Sequence, residues 1–453
     1  MRPGSFMLIA GEASGDALAA ELVHALRQEY AEAPAVPTTD YQPRLTTLAP
    51  RFFGAGGPQM AAAGVELDFD MTAHSVIGLS DALRHYGKFR RLFRRLLQLA
   101  RARQPEVIVC VDFSGFNRRF ARAIRQGTRP RADGFHNWKP RIIQYVSPQV
   151  WASRAGRARQ MARDYNLVLS IYPFEKDWYA QRVPQLPVEF VGHPLVDRYG
   201  PDPAAQDESR AREGGPLLLM LPGSRAAELR RHLPVMLSAL DLIRAKVVGL
   251  RARMVLPHDA LAQQARALGL PRNLELRIGG LSRALAEADV ALASTGTVTT
   301  ECAYFGVPTV ALYKTSWSTW QIGRRIVTVK YLAMPNLLAG EEVFPEFIQS
   351  AANAGNLAGA VVALLRDEAR RARIKARLRE VAATLGPPGA ARRAAQAILA
   401  PSRDARNSHG RGSFSRLETG DAFVIRPDKN PAQPGPGAPL KAFRPPGQSV
   451  SRR

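Results

Sequence analysis

The chain has 453 residues, of which 46% are hydrophobic and 23% are charged, a balance typical of soluble globular proteins. At roughly 100 to 200 residues per domain, this length is sufficient for two or three folded units. No apolar run reaches the roughly 18 to 20 residues of a membrane-spanning helix, and no signal-peptide pattern precedes the first strand-like segment. We therefore expect a protein that stays inside the cell, with Cys110 and Cys302 as buried thiols.

The formal net charge of +24 leaves three interpretations open. Arrays of Lys and Arg attract nucleic acids through counterion release, and they also attract anionic lipid surfaces. An Arg-rich surface that contacts only solvent has the same composition. The segment 401–453 is rich in Pro, Gly, Ser and Arg, so we expect it to be a disordered basic tail.

Short apolar, β-branched runs alternate with helical stretches along the chain, a pattern that predicts parallel sheets covered by helices on both faces. These runs are too many for one ordinary sheet. A polar, proline-containing stretch at 200–215 divides them, which predicts Rossmann-like domains at 1–199 and 200–370 and C-terminal helices at 371–400. The predicted strands are 6–10, 107–113, 141–146, 167–171, 188–191, 217–221, 253–256, 274–278, 290–293 and 309–312, and the predicted loop insertions are 33–50 and 127–140.

Three segments of the first predicted domain carry candidate site residues. The turn after the first strand contains Glu12, Ser14 and Gly15 and faces the crevice where open α/β sheets bind ligands. Capping of the following helix by Ser14 or Asp16 explains the same pattern. A glycine-rich turn at 53–58 is a weaker candidate for close backbone approach to a ligand. Asp112 follows the next long strand, where its carboxylate can act as a general base or can cap a helix.

Two strand-to-helix turns of the second predicted domain combine small residues with groups that bind phosphate or ribose. Free backbone amides and a guanidinium suit a diphosphate, and a carboxylate about one turn into the helix can accept hydrogen bonds from two ribose hydroxyls. A capped helix with a first-turn Glu is the alternative for either turn alone. Two such turns in one domain favour a nucleotide. The residues are Gly223, Ser224 and Arg225 in one turn, and Gly296, Thr297 and Glu301 in the other.

The segment that begins at Leu83 and ends at Arg103 has apolar residues at helical spacing and positive charges between them, which predicts a basic amphipathic helix. The apolar residues from Val76 to Leu83 suit contact with a membrane or an acyl chain. A helix packed on the core with a solvated Arg face fits the same pattern. His193 can line the crevice between the domains, or it can equally be an ordinary loop histidine. The histidines and cysteines lack metal-ligand spacing.

Seven segments, taken together and in this order, resemble the lipid-A-disaccharide synthase family over about residues 5–400. The resemblance implies a GT-B fold, in which two Rossmann-like, doubly wound parallel-sheet domains enclose an interdomain cleft. It also implies inverting transfer without a metal or another cofactor, with the UDP of the donor on the second domain and the acceptor facing the first. The segments are GEASGD at 11–16, VSPQVWA at 146–152, PFE at 173–175, GHP at 192–194, LPGSR at 221–225 with Glu228, GTVTTE at 296–301 and PNLLAG at 335–340.

Residue by residue, the resemblance implies that Asp112 is the essential aspartate of the family. Glu12 and Ser14 match its first loop, and Glu12 is the second catalytic candidate. The implied donor contacts are Arg225 and Glu301, and the implied crevice residue is Asn336. The chain departs from the family pattern at Gly115, where many relatives have aspartate, and at Glu341, where a basic residue is frequent.

The implied substrates are UDP-2,3-diacylglucosamine and 2,3-diacylglucosamine 1-phosphate, and the implied products are the β-1,6-linked lipid A disaccharide 1-phosphate and UDP. We therefore expect a cytoplasmic enzyme that binds the anionic inner face of the inner membrane and binds no nucleic acid. Two other UDP-sugar enzymes with a similar crevice stay open as alternatives, a muramyl-lipid N-acetylglucosaminyltransferase and a UDP-sugar 2-epimerase. A basic nucleic-acid-binding protein is the alternative from another class.

Overall fold

The computed structural model describes residues 4–32, 49–74, 86–128, 138–201 and 215–401. Within these ranges the chain forms two sheets, and the paired strands of both sheets are parallel. The strands of the first sheet are β1 (Ser5–Ala10), β2 (Arg51–Gly56), β3 (Glu66–Asp70), β4 (Val107–Val111), β5 (Arg141–Tyr145), β6 (Leu167–Ser170) and β7 (Val188–Phe190). Those of the second sheet are β8 (Leu217–Leu221), β9 (Arg251–Leu256), β10 (Leu274–Ile278), β11 (Val290–Ser294), β12 (Thr309–Tyr313) and β13 (Glu346–Ile348).

Helices connect the strands and cover the sheets. In the first half they are α1 (Ala13–Ala31), α2 (Pro58–Ala62), α3 (Tyr86–Arg103), α4 (Ser114–Gly127), α5 (Val150–Ser153), α6 (Arg157–Asp164), α7 (Pro173–Arg182) and α8 (Pro194–Tyr199). In the second half they are α9 (Ala226–Arg244), α10 (Asp259–Ala267), α11 (Leu281–Glu287), α12 (Thr297–Tyr304), α13 (Trp317–Ile326), α14 (Met334–Ala339), α15 (Ala354–Arg366), α16 (Glu368–Ala383) and α17 (Ala390–Leu399). Among the described residues, no helix is long and apolar enough to cross a bilayer.

The strand order places the candidate turns at equivalent positions of the two sheets. The orders are β3-β2-β1-β4-β5-β6-β7 and β10-β9-β8-β11-β12-β13. In each sheet the order reverses between two central strands, β1 and β4 in the first and β8 and β11 in the second. Open parallel sheets bind ligands in the crevice at this switch point, beyond the carboxyl ends of the strands. The turns after β1, β4, β8 and β11, which carry predicted site residues, therefore lie at the switch points. The turn with His193 follows β7 and does not.

The central strands form because their side chains are apolar on both faces. Every residue of β4 (VIVCV) and of β8 (LLLML) is buried, as a parallel sheet covered by helices on both sides requires. Burial of one Val or Leu side chain contributes about 1.5 to 3 kcal/mol relative to its exposure. Cys110 in β4 and Cys302 in α12 are buried free thiols, which confirms the prediction made from the sequence.

Three strands were not predicted. The turn expected at 53–58 is wrong for its first four residues, which belong to β2. Gly54 weakens the strand pattern, but it is required because a Cβ atom there would lie 1.9 Å from the carbonyl oxygen of Leu8 in β1. β3 (ELDFD) has no fully buried residue, and β13 has only three residues, so neither shows a clear apolar pattern.

The two sheets lie on either side of 202–214, which is outside the described residues. Of the C-terminal helices, α16 packs against α12 of the second half, whereas α17 packs against α1 and α8 of the first. Three expectations also fall on residues outside those described, and they stay predictions. They concern the insertion at 33–50 except its last two residues, the apolar segment before the basic helix, and the tail after Pro401.

Candidate active site in the cleft between the two sheets

Asp112 is the first residue after β4, and its backbone is left-handed at φ 46°. The prediction that the strand extends to residue 113 is therefore wrong, because Phe113 is left-handed as well, at φ 42°. The Asp112 amide donates to the carbonyl of Tyr145 (2.6 Å), and its carbonyl accepts from the side chains of Asn117 (2.9 Å) and Gln144 (3.2 Å). Strained conformations of this kind persist where the surroundings hold them, and they concentrate at functional sites.

The carboxylate of Asp112 is partly buried and is affected by the charges of Glu12 and Arg225. Burial raises its pKa, and the charge of Glu12 raises it further, whereas the Phe113 amide and the Arg225 guanidinium lower it. The net shift is upward, which makes the carboxylate a stronger base. A base in this position suits removal of a proton from a sugar hydroxyl.

Glu12 and Arg225 connect the two switch points. The Arg225 guanidinium lies 3.3 Å from the Glu12 carboxylate and 3.4 Å from that of Glu228. Burial lowers the pKa of Arg225, but the two carboxylates raise it more, so the net shift is upward. The sequence predicted these residues separately, Glu12 as catalytic and Arg225 as a donor contact, and the fold brings them together.

The turn at Gly223 differs from the prediction in one respect. The amide of Ser224 was expected to be free for a diphosphate, but it donates to Glu228 Oε2 at 3.2 Å. Gly223 has φ 121°, and a Cβ atom there would lie 2.5 Å from that same carboxylate oxygen. Glycine is therefore required, and Glu228 fills the position next to the Ser224 amide. A diphosphate that used this amide would have to displace Glu228.

The turn after β1 lies directly against Asp112. A Cβ atom at Gly15 would lie 3.6 Å from the Cβ of Asp112, and one at Gly11 would lie 2.3 Å from the Phe113 ring. The turn therefore packs on the loop after β4. Ser14 is exposed at the start of α1, and the side chain of Glu12, the N-cap residue of this helix, makes no capping hydrogen bond.

Asp16 was considered as a cap of α1, but the structure gives its side chain another role. It is 1% exposed, and its carboxylate accepts from the amides of Gly57 (2.7 Å), Gln59 (2.9 Å) and Met60 (3.0 Å). Asp16 therefore caps the start of α2 and holds it against α1. Nothing in the sequence near Asp16 indicates this partner, which lies more than forty residues away.

A cavity of about 510 Å³ opens between the loops of the two sheets. Gly296 and Thr297 line it from the second sheet, at the start of α12, and both are exposed. Ser114 and Tyr172 line it from the first sheet. The turn after β11 therefore faces the crevice, and its predicted contact with a nucleotide stays a prediction.

Glu301 has a partner from the first half of the chain. The Tyr199 hydroxyl at the end of α8 donates to Glu301 Oε1 at 3.0 Å. Burial raises the pKa of Glu301, and the hydrogen bond from Tyr199 opposes this shift. The other carboxylate oxygen is the one available to a ribose hydroxyl in this arrangement.

His193 is 4% exposed and begins α8. Its Nδ1 accepts from the Leu195 amide (3.1 Å), so the Nε2 atom carries the proton of the neutral ring. Among the described residues Nε2 has no hydrogen-bond partner, and burial lowers the pKa of His193 to about 3. The imidazole packs against the Tyr172 ring, with 5.2 Å between centroids. The structure therefore places His193 behind Tyr172, which itself lines the cavity.

Asn336 does not line the crevice with its side chain, and that prediction is corrected. The residue is fully buried. Its Nδ2 donates to Phe344 O (2.8 Å) and to Glu346 Oε1 (2.7 Å), while its Oδ1 accepts from the amides of Val343 (2.9 Å) and Phe344 (2.8 Å). Asn336 therefore fastens α14 to the segment before β13, and α14 contributes Met334 and Leu337 to the cavity wall.

The basic helix α3 presents positive charge, but two of its arginines are paired. Arg95 bonds to Asp68 at 2.7 Å, and Arg103 pairs with Glu66. Leu96 and Ala100 are buried, so the later turns pack on the core.

Across the residues that the structure describes, no group of three or more His, Cys, Asp or Glu side chains could hold a metal ion, and metal independence stays a prediction.

Two Rossmann-like parallel sheets, with their switch-point turns on a common cleft, define the GT-B class of glycosyltransferases. The fold is similar to the glycosyltransferase of kitacinnamycin (TM-score 0.52, 18% identity, 88% of this chain and 100% of the other). It is also similar to UDP-GlcNAc 2-epimerase from Neisseria meningitidis (TM-score 0.53, 10% identity, 87% and 99%). At these identities the likeness concerns the fold alone.

Sequence similarity then gives the family. The family model described as lipid-A-disaccharide synthetase matches residues 6–400. Lipid-A-disaccharide synthase from Alkalilimnicola ehrlichii is 36% identical over 409 residues, covering 87% of this chain and 97% of the relative. The enzyme of the same name from Anaeromyxobacter dehalogenans is 34% identical over 402 residues, covering 87% and 96%. The chain belongs to the lipid-A-disaccharide synthase family and is a glycosyltransferase.

Proposed function

We propose that the protein transfers 2,3-diacylglucosamine from UDP-2,3-diacylglucosamine to the 6-hydroxyl of 2,3-diacylglucosamine 1-phosphate, with inversion at the anomeric carbon. The products are the β-1,6-linked disaccharide 1-phosphate and UDP. The observation that carries this proposal is the position of Asp112 and Arg225 at the switch points of the two sheets, connected by Glu12. Membership of the family favours this reaction over those of the muramyl-lipid transferase and the 2-epimerase.

Asp112 is the proposed general base. Its carboxylate takes the proton of the acceptor 6-hydroxyl as the hydroxyl oxygen forms a bond to the anomeric carbon of the donor. The bond from that carbon to the diphosphate oxygen breaks, and the electron pair leaves with UDP. General base catalysis by one side chain typically accelerates a reaction about 10²- to 10⁴-fold.

Arg225 is the proposed partner of the departing diphosphate. Its guanidinium is exposed at the cleft, and a planar guanidinium can donate two hydrogen bonds to phosphate oxygens. Charge that develops on the leaving group is stabilised most by donors already in position. Hydrogen bonds to Glu12 and Glu228 hold the guanidinium there. Gly296, Thr297 and Glu301 are the proposed contacts to the rest of the nucleotide, since they lie on the same side of the cleft.

We further propose that the enzyme works on the cytoplasmic face of the inner membrane, because both substrates carry acyl chains. The exposed arginines of α3 supply positive charge for anionic lipid. Paired Arg95 and Arg103 do not contribute to this surface.

The decisive experiment measures UDP release from UDP-2,3-diacylglucosamine in detergent and EDTA, with and without 2,3-diacylglucosamine 1-phosphate. Acceptor-dependent release by the wild type, reduced about 10²- to 10⁴-fold in Asp112→Asn, supports the reaction, the base and the absence of a metal requirement. Asp177→Asn is the matched control, because Asp177 is exposed on α7. If the folded wild type releases no UDP under these conditions, the proposed reaction is wrong.

A further inference from the structure

Three arginines from the first half of the chain line the cavity that opens between the loops of the two sheets. Arg118 is on α4, Arg154 follows α5, and Arg157 begins α6. Ser114, two residues after Asp112, lines the same cavity, whereas Asp112 itself does not. The arginines therefore line a space that is next to the turn carrying the proposed base.

These guanidinium groups have no counter-charge in the part of the chain that the structure describes. None of the three forms an ion pair with an Asp or Glu there. Arg118 Nε donates to the Ser114 carbonyl at 3.2 Å, which leaves its two terminal nitrogens for other acceptors. By contrast, Arg225 is paired with two carboxylates.

The arginines of the cluster repel one another. Burial lowers the pKa of Arg157, and the charges of Arg118 and Arg154 lower it further. Burial lowers the pKa of Arg118 as well, and the neighbouring arginines add to this shift. Like charges close together disfavour each other unless an anion lies between them. A bound anion would therefore relieve an unfavourable interaction and form charge-assisted hydrogen bonds.

We propose that Arg118, Arg154 and Arg157 bind the anomeric phosphate of the acceptor sugar and so select a phosphorylated acceptor. This inference rests on the proposed function, because it names the part of the site that holds the acceptor. Guanidinium groups match phosphate oxygens in a bidentate manner. A cavity of about 510 Å³ is within the usual range of small-molecule sites.

The position of the cluster favours the acceptor over the donor. All three arginines belong to the half that carries Asp112, whereas the turn at Gly223 and Arg225 belongs to the second sheet. An acceptor held by its phosphate at the arginines can direct another part of the sugar towards Asp112. The donor diphosphate has its own arginine across the cleft.

The test compares 2,3-diacylglucosamine 1-phosphate with 2,3-diacylglucosamine that lacks the phosphate. For the wild type we expect a kcat/KM at least about 100-fold higher with the phosphorylated acceptor. For Arg157→Ala we expect a loss of roughly 10- to 100-fold with that acceptor, since a hydrogen bond to a charged group contributes this much. The loss should be mainly in the acceptor KM, with little change for the unphosphorylated acceptor or for the donor KM. Arg157→Lys should recover part of the preference.

Arg159→Ala is the matched control, because Arg159 is exposed on the same helix and lies outside the cavity lining. An unchanged preference for the phosphorylated acceptor in Arg118→Lys, Arg154→Ala and Arg157→Ala overturns the proposal. A rise in the donor KM equal to that of the acceptor also overturns it, because it assigns the cluster to the diphosphate.

Failure of the proposed function is a separate result, seen as no transfer by the wild type to either acceptor. In that case calorimetric binding of glucosamine 1-phosphate decides the matter. Binding by the wild type that is lost in Arg157→Ala still supports the anion site. Equal binding by both proteins, or by neither, overturns it.

Discussion

The Nη2 atom of Arg225 lies 3.3 Å from Oε2 of Glu12, so an ion pair joins the turn after β8 to the turn after β1. Both side chains are partly exposed, and exposed pairs contribute only about 0 to 1 kcal/mol to stability. The pair therefore has more consequence for the site than for the fold. It holds the guanidinium in the cleft, and it keeps a negative charge close to Asp112.

Arg225→Ala should lower kcat by about 10²- to 10³-fold, because removal of one preorganised donor to developing charge typically has an effect of this size. Arg225→Lys should retain part of the activity, since an ammonium keeps the charge but not the bidentate geometry. Steady-state UDP release measures both. Arg230→Ala, an exposed arginine on α9, is the control for loss of one charge, and equal effects at the two positions would contradict the role.

Glu12→Gln should shift the acid limb of the kcat/KM profile to lower pH. Burial and the charge of Glu12 raise the pKa of Asp112, so removal of that charge lowers this pKa. The base must be ionised to act, and activity rises with pH as Asp112 loses its proton. In Glu12→Gln the rise therefore begins at lower pH than in the wild type. An acid limb that moves to higher pH would contradict the predicted effect of the Glu12 charge on the pKa of Asp112.

Glu175 should make the stability of the protein decrease with rising pH. Burial raises its pKa from 4.5 to about 7, against hydrogen bonds from Trp151 and the Tyr172 amide. Because the folded pKa is above the unfolded one, its contribution is fully present below about 4.5 and is lost as pH rises through about 7. Glu175→Gln stays neutral throughout and can accept from the Trp151 Nε1, which bonds Glu175 at 2.9 Å.

Urea unfolding of both proteins between about pH 5 and pH 8 checks this prediction. The unfolding free energy of the wild type should decrease relative to that of Glu175→Gln, by an amount on the order of 3 kcal/mol at most. The lowered pKa of buried His193 contributes stability that is fully present above pH 6.5, the pKa of an unfolded histidine. Both proteins contain His193, so its contribution cancels in the comparison. Parallel pH curves for the two proteins would mean that Glu175 is ionised in the native state.

Much of the site could be predicted because it consists of short turns that follow apolar strands. Asp112, Arg225 and Thr297 each lie within a few residues of a buried strand, and the order of parallel strands brings such turns to one crevice. Contacts between distant segments could not be read in this way. The pairing of Glu12 with Arg225 spans more than two hundred residues, and that of Tyr199 with Glu301 spans more than one hundred.

Burial of polar residues was the other feature that the sequence did not show. The sequence of a motif does not show whether a carboxylate or amide side chain faces a ligand or the core. Its hydrogen-bond partners in the folded chain decide between the two. Asp16 and Asn336 were considered as a helix cap and a crevice residue, yet each is buried with backbone amides from another segment. The left-handed backbone at Asp112 was missed because an apolar run continues to Phe113.

Asn336→Ala should lower the free energy of unfolding by about 2 to 4 kcal/mol, because it leaves the buried amides of Val343 and Phe344 without an acceptor. Asn336→Asp should be similarly harmful, since a second carboxylate would face Glu346. Denaturant unfolding measures both, with Asn273→Ala as an exposed control. Unchanged stability together with a raised donor KM would restore the original expectation of a residue that contacts substrate.

The exposed arginines of α3 should bind the protein to anionic bilayers. Arg90, Arg91 and Arg94 are exposed, and each Arg near an anionic surface contributes about 1 kcal/mol. Changing all three to Gln should therefore lower the partition coefficient onto phosphatidylglycerol vesicles, measured by sedimentation, by roughly 100-fold. Added salt should remove most of the difference. The control changes exposed Arg230, Arg266 and Arg272 to Gln in the second half of the chain, with the same loss of charge. Equal losses in the two triple variants would show that membrane binding follows the net charge and not this helix.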